Sequence, residues 1–143
     1  MKILRNIFFI ILFMVFQPLF NSCSKDEKET IPYVYVNFYI QPNSTLYINL
    51  NHVGGYEYLT GGYNGIVVYR VNTETFVAFD RACPYDFKNN CRIEVEHSSI
   101  TAIDSCCGSR FLLTDGSPFQ GPASVSLKQY KTNYDGNYLH ITN

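Results

Sequence analysis

The sequence predicts an antiparallel all-β fold, sandwich or barrel, on three observations. Apolar residues recur with a period of two over short runs, the side-chain period of a pleated strand. The 12 Tyr and 11 Phe, together with β-branched residues, suit a half-buried sheet surface. The breaks between runs carry Gly, Pro, Asn and Asp, and no stretch has the periodicity of a helix of about ten or more residues.

Residues 1–22 read as an export signal. Lys2 and Arg5 precede the apolar run 7–16, which Gln17 and Pro18 interrupt. That is well short of the roughly 20 apolar residues a spanning helix needs, so a cleavable signal fits better. The following "LFNSC" resembles a bacterial lipobox, although Phe20 and Asn21 are looser than the usual pattern; the resemblance implies that Cys23 is acylated and begins the mature chain. An ordinary secretory signal with a chance cysteine is the plainer reading. Residues 23–32 form a tether whose "SKDEKE" holds no apolar residue. This charged run resembles a signal that sends lipoproteins to the outer face of the outer membrane. The expected location is therefore the outer membrane at the cell surface, otherwise facing the periplasm, with the membrane itself as a partner through the lipid.

Residues 33–143 are expected to form one domain, since some 110 residues bury a single core. Without Lys2 and Arg5, nine basic residues stand against twelve acidic ones, a net −3. With no basic patch, nucleic acid is not expected as a partner.

The strands predicted in order are 33–40 (YVYVNFYI), 45–50 (TLYINL), 65–70 (GIVVYR), 75–80 (TFVAFD), 92–96 (RIEVE), 99–104 (SITAID), 110–114 (RFLLT), 125–130 (VSLKQY) and 137–142 (NYLHIT). Turn chemistry separates them at QPNS, VGG, TGGYNG, VNTE, TDGSP and NYDGN. YDGN reads as a hairpin turn because Gly accepts positive φ. The stretch HVGGYEYLTGGYNG has glycines without the strand-to-helix frame of a phosphate loop. It reads as an aromatic hairpin packing on the sandwich, with a carbohydrate or protein contact surface as the alternative.

Residues 76–143 resemble a Rieske-type [2Fe–2S] domain. The resemblance rests on FVAFDRACPYD, then CCGSRFLLTDGSPFQGPASVSLKQY, then the closing strand YLHITN, with Gly108, Ser109, Phe111, Gly116, Gly121, Pro122 and Ala123 in order. CPYD and CCGSRF also resemble a group of bacterial surface and outer-membrane lipoproteins. The family resemblance implies an antiparallel Rieske-like β-sandwich with a small inserted subdomain, its cluster loops at about 82–92 and 104–116. It also implies that two Cys hold one iron and two His the other. Those positions fall on Cys83, Tyr85, Asp104 and Cys107, so three of the four carry another residue type. His52, His97 and His140 lie outside both loops. The expectation is a degenerate member without its cluster.

Besides Cys23, four cysteines remain: Cys83, Cys91, Cys106 and Cys107. In an exported chain an even number reads first as disulfides. Four allow three pairings, and a bond between adjacent Cys106 and Cys107 is strained. Some Rieske proteins link their two loops through the residue before the second His, which implies Cys91–Cys106 here, closing a loop of sixteen residues worth roughly 3 kcal/mol. Cys83 and Cys107 are then left as a second bond if the empty pocket collapses. The exchanged pairs Cys83–Cys106 and Cys91–Cys107 remain open. A competing reading is a mixed oxygen and sulfur site for zinc or iron, or an atypical [2Fe–2S] cluster, on Cys83, Asp104 and Cys107 with Tyr85. Asp86 and Asp104 could pair as carboxylates, or cap turns. No base stands beside a cysteine nucleophile, so no catalytic residue is assigned and an enzyme is not expected. The expected role is structural or in binding, as a lipid-anchored accessory protein with an outer-membrane or cell-surface protein or a glycan as partner; the alternative is an electron-transfer or metal-binding protein that uses the atypical site on the same loops.

Overall fold

The computed structural model describes residues 29–143. The expected signal peptide 1–22, the expected acylation site Cys23 and most of the expected tether lie outside the described residues. Among the described residues no helix is long and apolar enough to cross a membrane.

Among the described residues, ten strands form two antiparallel sheets. The larger contains β1 (Asn37–Ile40), β2 (Tyr56–Leu59), β3 (Ile66–Arg70), β4 (Phe76–Asp80), β9 (Gln129–Tyr134) and β10 (Leu139–Thr142), in the order β1-β10-β9-β4-β3-β2. The smaller contains β5 (Glu94–Val95), β6 (Thr101–Ile103), β7 (Arg110–Leu112) and β8 (Pro118–Gln120) in sequence order. It is inserted between β4 and β9, which pair directly through Ala78 and Tyr130. This is the sandwich with an inserted subdomain that the sequence predicts.

β3 and β4 are buried along their whole length because both faces of this hairpin are covered. Val67, Tyr69, Val77 and Phe79 face Ile93, Ala102, Phe111 and Leu113 of the inserted unit and Leu127. Ile66, Val68 and Ala78 face the other way, against Ile40, Leu50, Leu139 and Ile141. Alternation thus splits one hairpin between two cores. Cys83 belongs to the first of them, so the end of β4 carries the chain from core into loop without leaving the apolar interior.

Four expectations need correction. The strand expected at 33–40 forms only over Asn37–Ile40. Residues 45–50 are not a strand but part of a 3₁₀ segment, Thr45–Asn51, in which Leu50 is buried while Leu46 and Ile48 are exposed. The Leu50 carbonyl is taken by the Arg70 Nη1 group at 2.8 Å, so this segment finds a guanidinium instead of a neighbouring strand. The strand expected at 125–130 begins only at Gln129 and runs on to Tyr134. β2 and β8 were not among the predicted strands.

The TGGYNG turn between β2 and β3 is pinned from beneath. Asp80, fully buried, accepts the Tyr63 N–H at 2.6 Å, the Asn64 N–H at 3.1 Å and the Ala82 N–H at 2.9 Å. The Tyr130 hydroxyl donates to it at 2.7 Å, and burial first, then this carboxylate, pushes the Tyr130 pKa up. Four hydrogen bonds meet the cost of burying the charge.

Candidate functional site

Two loops meet at one end of the inserted sheet. The first, residues 82–92, leaves β4 and closes on itself where Ala82 bridges Arg92. Within it Cys83-Pro84-Tyr85-Asp86 makes a tight turn, with the Asp86 N–H donating to the Cys83 carbonyl at 3.3 Å. Pro84 sits at the position where a fixed φ favours such a turn. The turn brings its first and fourth residues, Cys83 and Asp86, to one side and sends Tyr85 out, 60% exposed.

The second loop joins β6 to β7. The Gly108 N–H donates to the Asp104 carbonyl at 2.7 Å, and the Asp104 N–H donates to the Ser109 carbonyl at 2.9 Å. Gly108 takes φ +76°, closing the turn so that Asp104 and Cys107 share its inner side. Cys106 faces the other way and is bonded to Cys91, with Cα atoms 6.3 Å apart. Adjacent cysteines therefore do different work: Cys106 staples the loops and Cys107 faces the space between them. Ser109 backs Cys107, lying 3.0 Å from its sulfur and accepting the Ala123 N–H at 3.1 Å. Gly121 has to be a glycine here, since a Cβ would lie 2.5 Å from the Ser109 Cα.

Cys83, Asp86, Asp104 and Cys107 each place one sulfur or carboxylate oxygen within 4.8 Å of the others. Cys83 and Asp104 are fully buried, Asp86 and Cys107 partly so. The two thiols are free, with sulfurs 3.6 Å apart. One oxygen of Asp104 accepts the Cys106 N–H at 2.8 Å, the turn cap the sequence allowed for. Its Oδ2 and the Asp86 Oδ1 are buried without a hydrogen-bond partner. Burial first, then the neighbouring Asp104, raises the Asp86 carboxyl above its ordinary value. Burial also pushes the Cys83 thiol up, with Asp104 and Cys107 adding to it. A second grouping, Cys91, Asp104 and Cys106, offers no thiolates because its two cysteines are joined.

The expected Cys91–Cys106 bond is thus present. The expected Cys83–Cys107 bond is not formed, since a disulfide needs sulfurs about 2.05 Å apart, and the exchanged pairing does not occur. Of the four positions the resemblance assigns, Cys83, Asp104 and Cys107 converge and Tyr85 does not; Asp86, one residue on, takes the place near them. The i to i+3 return of a turn beginning Cys-Pro was the signal for it. His52 and His97 are not part of this group, and His140 lies on β10, stacked on Tyr39.

Among solved structures, the plasma membrane Rieske protein PetC3 of the cyanobacterium Synechocystis PCC 6803 superposes with a TM-score of 0.52 at 21% identity, covering 62% of this chain and 86% of that one. The fold is Rieske-like. The ferredoxin of carbazole 1,9a-dioxygenase from Nocardioides aromaticivorans IC177 gives a TM-score of 0.45 at 15% identity, over 63% of this chain and 86% of that one. A complex of reduced oxygenase and oxidized ferredoxin in carbazole 1,9a-dioxygenase gives 0.49 at 15%, over 80% and 94%. No protein-family model and no curated protein matches the chain.

A Rieske [2Fe–2S] cluster needs two thiolates on one iron and two imidazoles on the other. The Rieske-like loops here converge two sulfurs and two carboxylates, with no imidazole. The resemblance assigns Cys83 and Cys107 to different irons, yet their sulfurs are 3.6 Å apart. The residues do not fit that group.

Proposed function

We propose that this Rieske-like domain has lost its iron–sulfur cluster and serves a structural or binding role, held at the outer membrane by a lipid on Cys23. The observation that carries this reading is the donor set: only Cys83 keeps its expected residue type, and Tyr85 points away from the site. The frame survives without the chemistry, since Gly108, Ser109 and Gly121 still shape the second loop and Cys91–Cys106 ties it to the first. A catalytic role has little support, because Cys107 has no imidazole in either loop to act as its base. The charged tether and the lipobox-like LFNSC support anchoring at the cell surface, where a protein or a glycan would be the partner.

The test is chemical analysis of the full chain purified in detergent from the membrane fraction. Acid-labile sulfide should be absent and the visible spectrum should lack cluster bands. Two irons and two sulfides per chain would overturn the reading. The mass of the N-terminal peptide tests the anchor, which fails if Cys23 carries no lipid.

A further inference from the structure

We propose that Cys83, Asp86, Asp104 and Cys107 form a mononuclear site for one divalent cation of the zinc type, held by two thiolates and two carboxylates. This rests on the reading that the loops no longer hold a [2Fe–2S] cluster.

Geometry is the first argument. Two thiolates on one tetrahedral zinc at about 2.3 Å subtend an S···S edge of about 3.8 Å. The Cys83 and Cys107 sulfurs stand 3.6 Å apart, and all four donor groups lie within 4.8 Å of one another. These distances suit donors around a single ion.

The unpartnered oxygens are the second, independent argument. Asp104 is fully buried, yet its Oδ2 has no hydrogen-bond partner, and the facing Asp86 Oδ1 is likewise buried and unpaired. Buried carboxylates are ordinarily paired, hydrogen-bonded or bound to metal. Asp80 in the same chain shows the usual solution, with four donors around one carboxylate. Asp104 has one donor, on its other oxygen. A cation between the loops supplies what both orphaned oxygens lack. On binding, the two thiols lose their protons to water and no electrons move.

The surroundings hold the donors in place. Cys83 and Asp86 are fixed by the Cys-Pro turn, Asp104 by the Cys106 N–H, and Cys107 by Ser109. The Cys91–Cys106 bond fixes the distance between the loops. Two sulfur and two oxygen donors suit a borderline cation better than magnesium or calcium, which take oxygen donors throughout.

The experiment uses the full chain in detergent under argon, freed of metal by chelator, with Cys83 and Cys107 shown to be thiols by mass mapping. Cobalt(II) is the probe. One equivalent should give intense tetrahedral d–d bands and a thiolate-to-cobalt charge-transfer band, both removed by one equivalent of zinc. Asp86→Asn should weaken cobalt binding by at least about tenfold, since even an outer-shell partner is worth 10–100-fold. Tyr85→Phe should leave it unchanged. Should Asp104→Asn fail to fold, Asp86→Asn at the half-buried position still decides the matter. No cobalt uptake by folded protein, or a spectrum and affinity unmoved by Asp86→Asn, overturns the site while leaving cluster loss intact. Acid-labile sulfide in the untreated protein overturns both.

Discussion

The sulfurs of Cys83 and Cys107 face each other across 3.6 Å without a covalent bond, while Cys106, the neighbour of Cys107 in the chain, is joined to Cys91. The two pairs differ in setting as well as in chemistry. Cys83 lies in the main core and is fully buried, whereas Cys107 is partly exposed at its edge. Burial holds the Cys83 thiol protonated well above its ordinary value of 9.0, so little of it is the reactive thiolate at neutral pH. In metal-free folded protein, iodoacetamide should therefore label Cys107 first, label Cys83 only on unfolding, and spare Cys91 and Cys106. Peptide mass mapping over a time course reads this. A native Cys83–Cys107 bond, or equal labelling rates, would contradict it.

The staple between the loops should contribute to stability through the unfolded chain. Cys91 and Cys106 are 15 residues apart, a loop whose closure is worth about 3 kcal/mol in the chain-entropy account. Cys91→Ser combined with Cys106→Ser should lower the urea midpoint by about 1–3 M, given slopes of about 1–3 kcal/mol per molar. A midpoint unchanged within error would mean that the loops are held by packing alone.

Much of this architecture was legible because the central hairpin is covered on both sides. Residues 66–70 and 76–80 are almost continuously apolar, and such runs bounded by turn residues read as strands. β2 and β8 were hidden for the opposite reason. Tyr56–Leu59 is an edge strand among glycines, and Pro118–Gln120 is three residues long with Phe119 exposed, so neither presents a buried face to set a pattern. The apolar alternation of residues 45–50 misled because Leu46 and Ile48 are mostly exposed. At the site, motif spacing pointed to Cys83, Asp104 and Cys107, which the two loops bring together. It chose Tyr85 over Asp86 because the family pattern counts residues, whereas the turn at Pro84 decides which side chain comes back.

Asp80 and Tyr130 offer a test of the pinned glycine turn. Tyr130→Phe removes one hydrogen bond to a buried carboxylate and leaves the three backbone donors in place. Such bonds are worth about 1.5–3 kcal/mol. Asp80→Ala leaves three N–H groups and a hydroxyl unpartnered in the interior and should cost more. Equilibrium urea unfolding of both variants measures the difference. If Asp80→Ala proved the milder change, the carboxylate would not be what holds the turn.

Glu96 supplies a pH dependence whose direction is fixed. Its carboxylate accepts the Thr101 hydroxyl at 2.7 Å and meets Arg110 Nε at 3.0 Å, tying the β5–β6 hairpin to β7. The Thr101 hydrogen bond first, and Arg110 after it, lower the Glu96 pKa below its ordinary value of 4.5. A carboxylate depressed by folding adds stability above its unfolded pKa and loses it as pH falls through the folded one. Wild type should therefore exceed Glu96→Gln by a constant margin above about pH 5, within about 1 kcal/mol for so accessible a pair. That margin should shrink below pH 4.5 as the carboxylate takes up its proton. Urea midpoints of the two proteins at several pH values between 7 and 3 measure it, and the comparison cancels titrations that both share. A margin that stayed constant down to pH 3, or grew, would show that the ionised Glu96 does not hold the hairpin.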